Sequence, residues 1–282
     1  MRLSVETYFL RKRFGDKTAI KMIKDAGFDA FDYSFYYEDD KRFIDLLSDD
    51  YEIQAKELRT YADSIGAVCN QAHSPFCFEY GDAIDMTCDT YKKTVRAIHS
   101  AAILGADNIV VHCKHRLPLE VDFIQYNYDF YKSLEKYCEQ YGICVSVENL
   151  FNARHEPVFG NPYQLMNFIK MLDSPYFNIC CDVGHAAITG FEPADVISRM
   201  NNKVLKALHI QDNDYKHDSH TLPYLSKLSW DDICKALSDI DYQGDLTYEI
   251  GSFFHGFPDR LLPDALTFAE KTGRHLISMI EK

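Results

Sequence analysis

Two apolar runs in this 282-residue chain each stop on a carboxylate. Residues 144–150 read CVSVENL and end on Glu148; residues 180–186 read CCDVGHA, with Asp182 closing the run and His185 three residues on. Other apolar runs stop at His73, His112, His209 and Glu249, each about one repeat from the next. A lone histidine at a strand end is ordinarily a hydrogen-bonded structural residue, and a lone glutamate ordinarily pairs with a lysine or arginine. Six successive strand ends bearing imidazole or carboxylate form a different pattern. Three carboxylates brought together raise one another's pKa unless a cation sits between them. Glu148, Asp182, His209 and Glu249 are a mostly oxygen donor set, suited to Mn²⁺, Mg²⁺ or Co²⁺ and acceptable to Zn²⁺. The stretch HDSHTLP, residues 217–223, adds Asp218 and His220, two apart and therefore on one side of an extended loop.

Elements must bring these groups together, and the chain repeats one pattern that does so. A helical period leads to a glycine, then a short strand, then a polar residue: Gly27 before Asp32–Ser34, Gly66 before His73, Gly105 before His112, Gly142 before Glu148. Tyr91, Val95, Ile98 and Ala102 step at helical spacing, as do Phe130, Leu134, Tyr137 and Tyr141. The glycines stand where a helix ends in a left-handed residue. The strands NIVV and ICVSV are continuous apolar runs, the signature of a parallel sheet covered on both faces. NPYQLMNFIKML, PADVISRM, SWDDICKALSDI and the C-terminal LPDALTFAEKTGRHLISMI read as later helices, Ser229 and Asp232 resembling a capping box. Eight strands and eight helical segments of about 35 residues per unit predict an α/β fold, a single (β/α)8 TIM barrel over residues 1–282. An open doubly wound sheet calls for a glycine-rich phosphate turn, and no G-x-G-x-x-G occurs. In a barrel all strand C-termini meet at one mouth, where catalytic groups sit. The run EDDKRFIDLLSDDYE reads as a solvated helix face with loop acids, Trp230 as packing at a helix start, and Phe253, Phe254 and Phe257 as either simple packing or a wall against solvent at the mouth.

Composition bounds the partners. The net charge of −13 works against nucleic acid and anionic membranes. No apolar run approaches a membrane span, and the first residues, MRLSVETYFLRKRF, contain no signal-peptide pattern. Nine cysteines are present without a C-x-x-C; Cys69, Cys113, Cys144, Cys180 and Cys181 sit in apolar strand-like runs and read as small buried hydrophobes, pointing to a reducing, cytoplasmic location.

The ordered pieces VSVEN, CCDVGH, LHIQDND and YEIGSF resemble the xylose isomerase-like TIM-barrel superfamily, in particular its sugar phosphate isomerase/epimerase proteins. These are related to tagatose 3-epimerase-type enzymes and to endonuclease IV. The resemblance implies a divalent metal held by Glu148, Asp182, His209 and Glu249. It also implies that Glu148 and Glu249 act as an acid/base pair and that His185 contacts the substrate. The implied activity is metal-dependent isomerisation or epimerisation of a small sugar or sugar phosphate, by proton transfer through an enediolate; homo-oligomers are common in the family. An arginine often follows the strand-7 histidine in such enzymes; this chain has Tyr215, Lys216 and His217 there. The endonuclease branch adds donors that match His73, His112, His185, Asp218 and His220, as further metal or substrate contacts. The alternative reading is therefore a polynuclear-zinc phosphodiesterase. Lys114, His115, Arg116, Arg154 and His155 are candidates for receiving a phosphate.

Overall fold

The computed structural model describes residues 1–36, 42–76, 83–115, 117, 118, 120–151 and 158–282. Eight parallel strands run β1 (Leu3–Glu6), β2 (Ala30–Ser34), β3 (Val68–His73), β4 (Asn108–Val110), β5 (Cys144–Glu148), β6 (Phe177–Asp182), β7 (Leu205–His209) and β8 (Leu246–Tyr248). Their order in the sheet is β7-β6-β5-β4-β3-β2-β1-β8. Ile210 closes the ring by pairing in parallel with Tyr248, donating its N–H to Thr247 at 2.8 Å and accepting from Glu249 N at 3.1 Å. At least one helix follows each strand, so the sheet is a (β/α)8 barrel.

The glycines do what the repeat requires. Gly105 and Gly142 are left-handed caps of the helices Asp89–Leu104 and Phe123–Tyr141, at φ 92° and 66°. The helix Pro162–Leu172 starts with Asn161 accepting from Tyr163 N at 2.9 Å. Two local expectations change. Ser229 caps the helix Trp230–Asp239 without a side-chain bond to its backbone; its hydroxyl donates to Asp232 instead. Residues 42–50 form turns rather than a solvated helix, because Phe43, Ile44 and Leu46 are buried, and the helix begins at Tyr51. Glu38–Lys41 of that run lie outside the described residues.

Side chains alternate across each strand, so every second residue enters the barrel. Asn108, Ser146 and Asn178 form a hydrogen-bonded layer at the bottom, and Ser4 donates to Thr247 in the same layer. Val110, Cys180 and Ala207 form a small apolar cluster within the barrel, separate from the large core between strands and helices. The next step in the same phase gives His112, Glu148, Asp182 and His209. Strand periodicity thus stacks an apolar plug beneath the groups that could do chemistry.

Candidate metal centre

Glu148, Asp182, His209 and Glu249 each offer one donor atom, and these atoms lie within 4.8 Å of one another; all four residues are buried. His209 Nδ1 is 3.0 Å from Glu148 Oε1 and 3.3 Å from Glu249 Oε2. Two further groups flank this one: His73, His112 and Glu148 on one side, His185, Asp218 and His220 on the other. His112 Nε2 is 2.8 Å from Glu148 Oε2 and 3.0 Å from His73 Nε2. His220 Nε2 is 2.9 Å from Asp218 Oδ2, and His185 Nδ1 is 3.3 Å from Glu148 Oε1. Every residue singled out from the strand ends and from HDSHTLP therefore falls in one of these three adjoining groups, except His217. That side chain is exposed and faces Asp214. Tyr215 donates its hydroxyl to Glu192 Oε2 at 3.1 Å.

Local sequence explains the placement. Asp182 caps the short helix Val183–Ile188, accepting from His185 N at 2.7 Å, which turns the His185 ring toward Glu148. Asn149 clamps this turn: its side chain donates to Asp182 O and accepts from Asp182 N, both at 2.8 Å. Gln211 holds the loop after β7, donating to Asp218 Oδ1 at 2.9 Å and accepting from His220 N at 3.0 Å. Buried Asp212 accepts from Ser226 N and from Trp230 Nε1, so Trp230 does pack at its helix start.

Several residues at the mouth were not singled out by the sequence reading. Glu6 ends β1 and Asp32, its partner in register, lies in β2. Asp32 Oδ2 accepts from Gln71 at 2.7 Å and stands 3.7 Å from His209 Nε2, the ring atom turned away from Glu148. A carboxylate behind an imidazole in this way orients the ring of a metal ligand. Tyr36 stacks on Phe76 with ring centres 4.2 Å apart and meets the His73 ring edge-on. The signal for Glu6 was the same polar strand end; Tyr36 had none.

The electrostatics are those of a tightly coupled acidic cluster. Burial works to raise the Glu148 carboxyl, but His209 and His112 overcome it and hold it well below the usual range. Burial pushes Glu249 well above that range against the pull of His209 and His220. Burial also raises Glu6 to about 7. His185 is raised well above its ordinary value despite burial, by Asp182, Asp218 and Glu148. His209 is raised too, by Cys180, Glu249 and Glu148. His220 rises to about 10 under Glu249 and Asp218, whereas burial lowers His112 to about 4. Glu249 Oε2 is buried without a hydrogen-bond partner among the described residues. A divalent cation among these donors would satisfy that orphaned oxygen, so the residues present fit such an ion.

Phe254 is buried and stacks on Phe9, while Phe253 packs between Phe254 and Phe257. These rings are core packing beside the mouth. Buried Lys114 lies with Nζ 4.4 Å from the Phe130 ring centre. His115 Nδ1 stands 3.3 Å from Cys113 O. Arg116, Arg154 and His155 lie outside the described residues. The eight described cysteines are free thiols; Cys88 and Cys144 are half-buried, so of the five read as buried only Cys144 differs.

A parallel barrel whose mouth gathers carboxylates and imidazoles from all sides defines a class of α/β-barrel proteins. Within it, the chain belongs to the xylose isomerase-like TIM barrel family, whose model matches residues 20–271. A protein of Sinorhizobium fredii is 27% identical over 165 residues, covering 54% of this chain and 50% of that protein. A protein of Methanocaldococcus jannaschii is 27% identical over 160 residues, covering 54% of each. The chain spans about half the length of the curated relatives it matches. Among solved structures, a D-tagatose 3-epimerase-like protein superposes with a TM-score of 0.76 at 20% identity, covering 100% of this chain and 98% of that one. D-psicose 3-epimerase solved in the presence of D-fructose gives 0.71 at 15%, covering 98% and 99%. A xylose isomerase domain protein of Alicyclobacillus acidocaldarius gives 0.76 at 14%, covering both chains fully. At these identities the likeness establishes the fold.

Proposed function

We propose that this protein is a metal-dependent isomerase or epimerase of a small sugar or sugar phosphate. The observation that carries the reading is the convergence of Glu148 and Glu249 on Nδ1 of His209, at 3.0 and 3.3 Å, within one four-donor group. Sugar epimerases among the proteins of like fold support the substrate class. A divalent ion held by Glu148, Asp182, His209 and Glu249, either Zn²⁺ or Mn²⁺ with Mg²⁺ or Co²⁺ also suited, would polarise a carbonyl and stabilise negative charge beside it. One of the two glutamates removes the proton next to the carbonyl. The other returns a proton on the opposite face or at the neighbouring carbon. His185, fixed by the Asp182 turn, orients the carbonyl oxygen.

The flanking groups, His73–His112–Glu148 and His185–Asp218–His220, give this mouth room for more than one ion. A phosphodiesterase using several zinc ions would need the same donors, but the net charge of −13 weighs against a polyanionic substrate. Among the described residues no helix is long and apolar enough to cross a membrane. The free thiols accord with a cytoplasmic location.

The test is solvent exchange. Metal-loaded protein is offered a panel of ketoses in D₂O, and deuterium entering the carbon next to the carbonyl is followed by NMR. Glu148→Gln and Glu249→Gln are expected to lose exchange by about a hundredfold or more while retaining the fold. Parental exchange in both variants would rule out proton transfer by this pair.

A further inference from the structure

The side of the mouth formed by β1 and β2 has chemistry that the metal donors do not use. Asp32 and Tyr36 are each more than nine-tenths buried, and Asp32 Oδ1 and the Tyr36 hydroxyl have no hydrogen-bond partner among the described residues. A buried polar atom left unpaired costs free energy, and such atoms point to a ligand or ordered water. Tyr36 is aimed at the mouth. Burial, then the charges of Glu249, Glu6, Glu148 and Asp32, hold its proton well above the ordinary tyrosine range, so it remains a donor. Its position is built rather than incidental. The buried Arg11 guanidinium donates to Ser34 O and Tyr36 O, and is itself held by Asp16 at 2.8 Å, fixing the segment after β2. The Tyr36 ring is further held between Tyr8, Phe76 and His73. Glu6 completes the wall, its Oε1 accepting from Gly251 N at 3.1 Å.

We infer that Tyr36, Asp32 and Glu6 form a subsite for the hydroxyl groups of an unphosphorylated sugar end. The inference rests on the sugar reading of this mouth and narrows it. A hydroxyl group both donates and accepts, so one sugar hydroxyl can donate to Asp32 Oδ1 while accepting from the Tyr36 hydroxyl. A phosphate only accepts at neutral pH and carries nearly two negative charges. Against this wall it would find one phenol donor amid carboxylates. The nearby guanidinium of Arg11 is turned to Asp16 and to backbone carbonyls instead.

Equilibrium dialysis of zinc-loaded protein tests this with D-fructose, D-tagatose and D-psicose as free ketoses, and D-fructose 1,6-bisphosphate as a ketose charged at both ends. At least one free ketose is expected to bind, and the bisphosphate about tenfold more weakly or worse. Tyr36→Phe and Asp32→Asn should each weaken ketose binding by roughly three- to tenfold, the worth of one hydrogen bond. Tyr36→Phe keeps the stack on Phe76, so it decides the matter should Asp32→Asn fail to fold. Failure of every free ketose to bind, tighter binding of the bisphosphate, or undiminished binding by Tyr36→Phe overturns the subsite. Deuterium uptake in the same samples is a separate readout. Tyr36-dependent ketose binding without uptake supports the subsite and overturns the isomerase reading; uptake with binding unchanged in Tyr36→Phe does the reverse.

Discussion

Glu249 is a costly side chain to keep. It is buried, one of its oxygens has no hydrogen-bond partner among the described residues, and burial raises its pKa well above the carboxylate range. That shift favours its protonated form in the metal-free protein, which resembles a neutral amide in charge and shape. Replacing it by glutamine removes little from that state. What the substitution removes is an anionic donor for a cation. Glu249→Gln is accordingly expected to leave the melting temperature in EDTA unchanged or slightly raised. The parent, by contrast, should gain about 3 kcal/mol from an ion at a hundredfold excess over its Kd, and the variant clearly less. Paired melts with EDTA and with Zn²⁺ measure both quantities. An equal gain in parent and variant would mean that Glu249 is not a ligand.

At the scale of elements, the site follows from strand phase and from the turns just beyond the strands. Gly184 in CDVGH shows how tight those turns are: a Cβ there would lie 2.5 Å from Gln211 Cδ and 2.8 Å from Asn213 Nδ2. Gln211 is the side chain that holds Asp218 and His220. Gly184→Ala should therefore cost about 1–3 kcal/mol from overpacking and, in addition, loosen the donor group His185–Asp218–His220. Elemental analysis after dialysis, set beside a thermal melt, checks this; a folded variant with the parental ion content would show that Gln211 is dispensable. The same reasoning shows what the sequence made legible. Glu148, Asp182, His209 and Glu249 could be read because each ends an apolar run in which no other acid competes. Asp32 sits in FDAFDYS beside Asp29, and alternation alone does not say which acid enters the barrel. The register against β3 also shifts between Phe31 and Asp32, so counting along the strand misleads. Tyr36 is one of 19 tyrosines, and only the Arg11 clamp, a contact across 25 residues, makes it special. Asn149 and Gln211 are amides whose roles depend on partners more than 20 residues away or on a folded loop. The stretch 42–50 reads as solvent-facing because its three acids, Asp45, Asp49 and Asp50, mask the three apolar residues Phe43, Ile44 and Leu46 that enter the core.

The whole molecule sets how the mouth meets an ion. A net charge of −13 attracts divalent cations and repels polyanions, while the mouth itself stores protons where an ion would sit. His220, raised to about 10, carries a proton at pH 7, and His185, His209 and Glu249 are each shifted upward too, so the metal-free cluster favours protons on groups whose lone pairs a cation needs. His112, lowered to about 4, is already neutral and contributes none. The sign follows directly: an entering ion displaces protons, so apparent affinity rises with pH through neutrality, by about tenfold per unit for each proton released. The gain continues until the metal-free cluster loses those protons unaided, which for His220 begins near pH 10. Calorimetric titration of metal-free protein with Zn²⁺ between pH 6 and 8, in two buffers of different ionisation enthalpy, measures the slope and the protons released. Affinity independent of pH, with no buffer-dependent heat, would mean that the ion binds somewhere other than among these histidines and carboxylates.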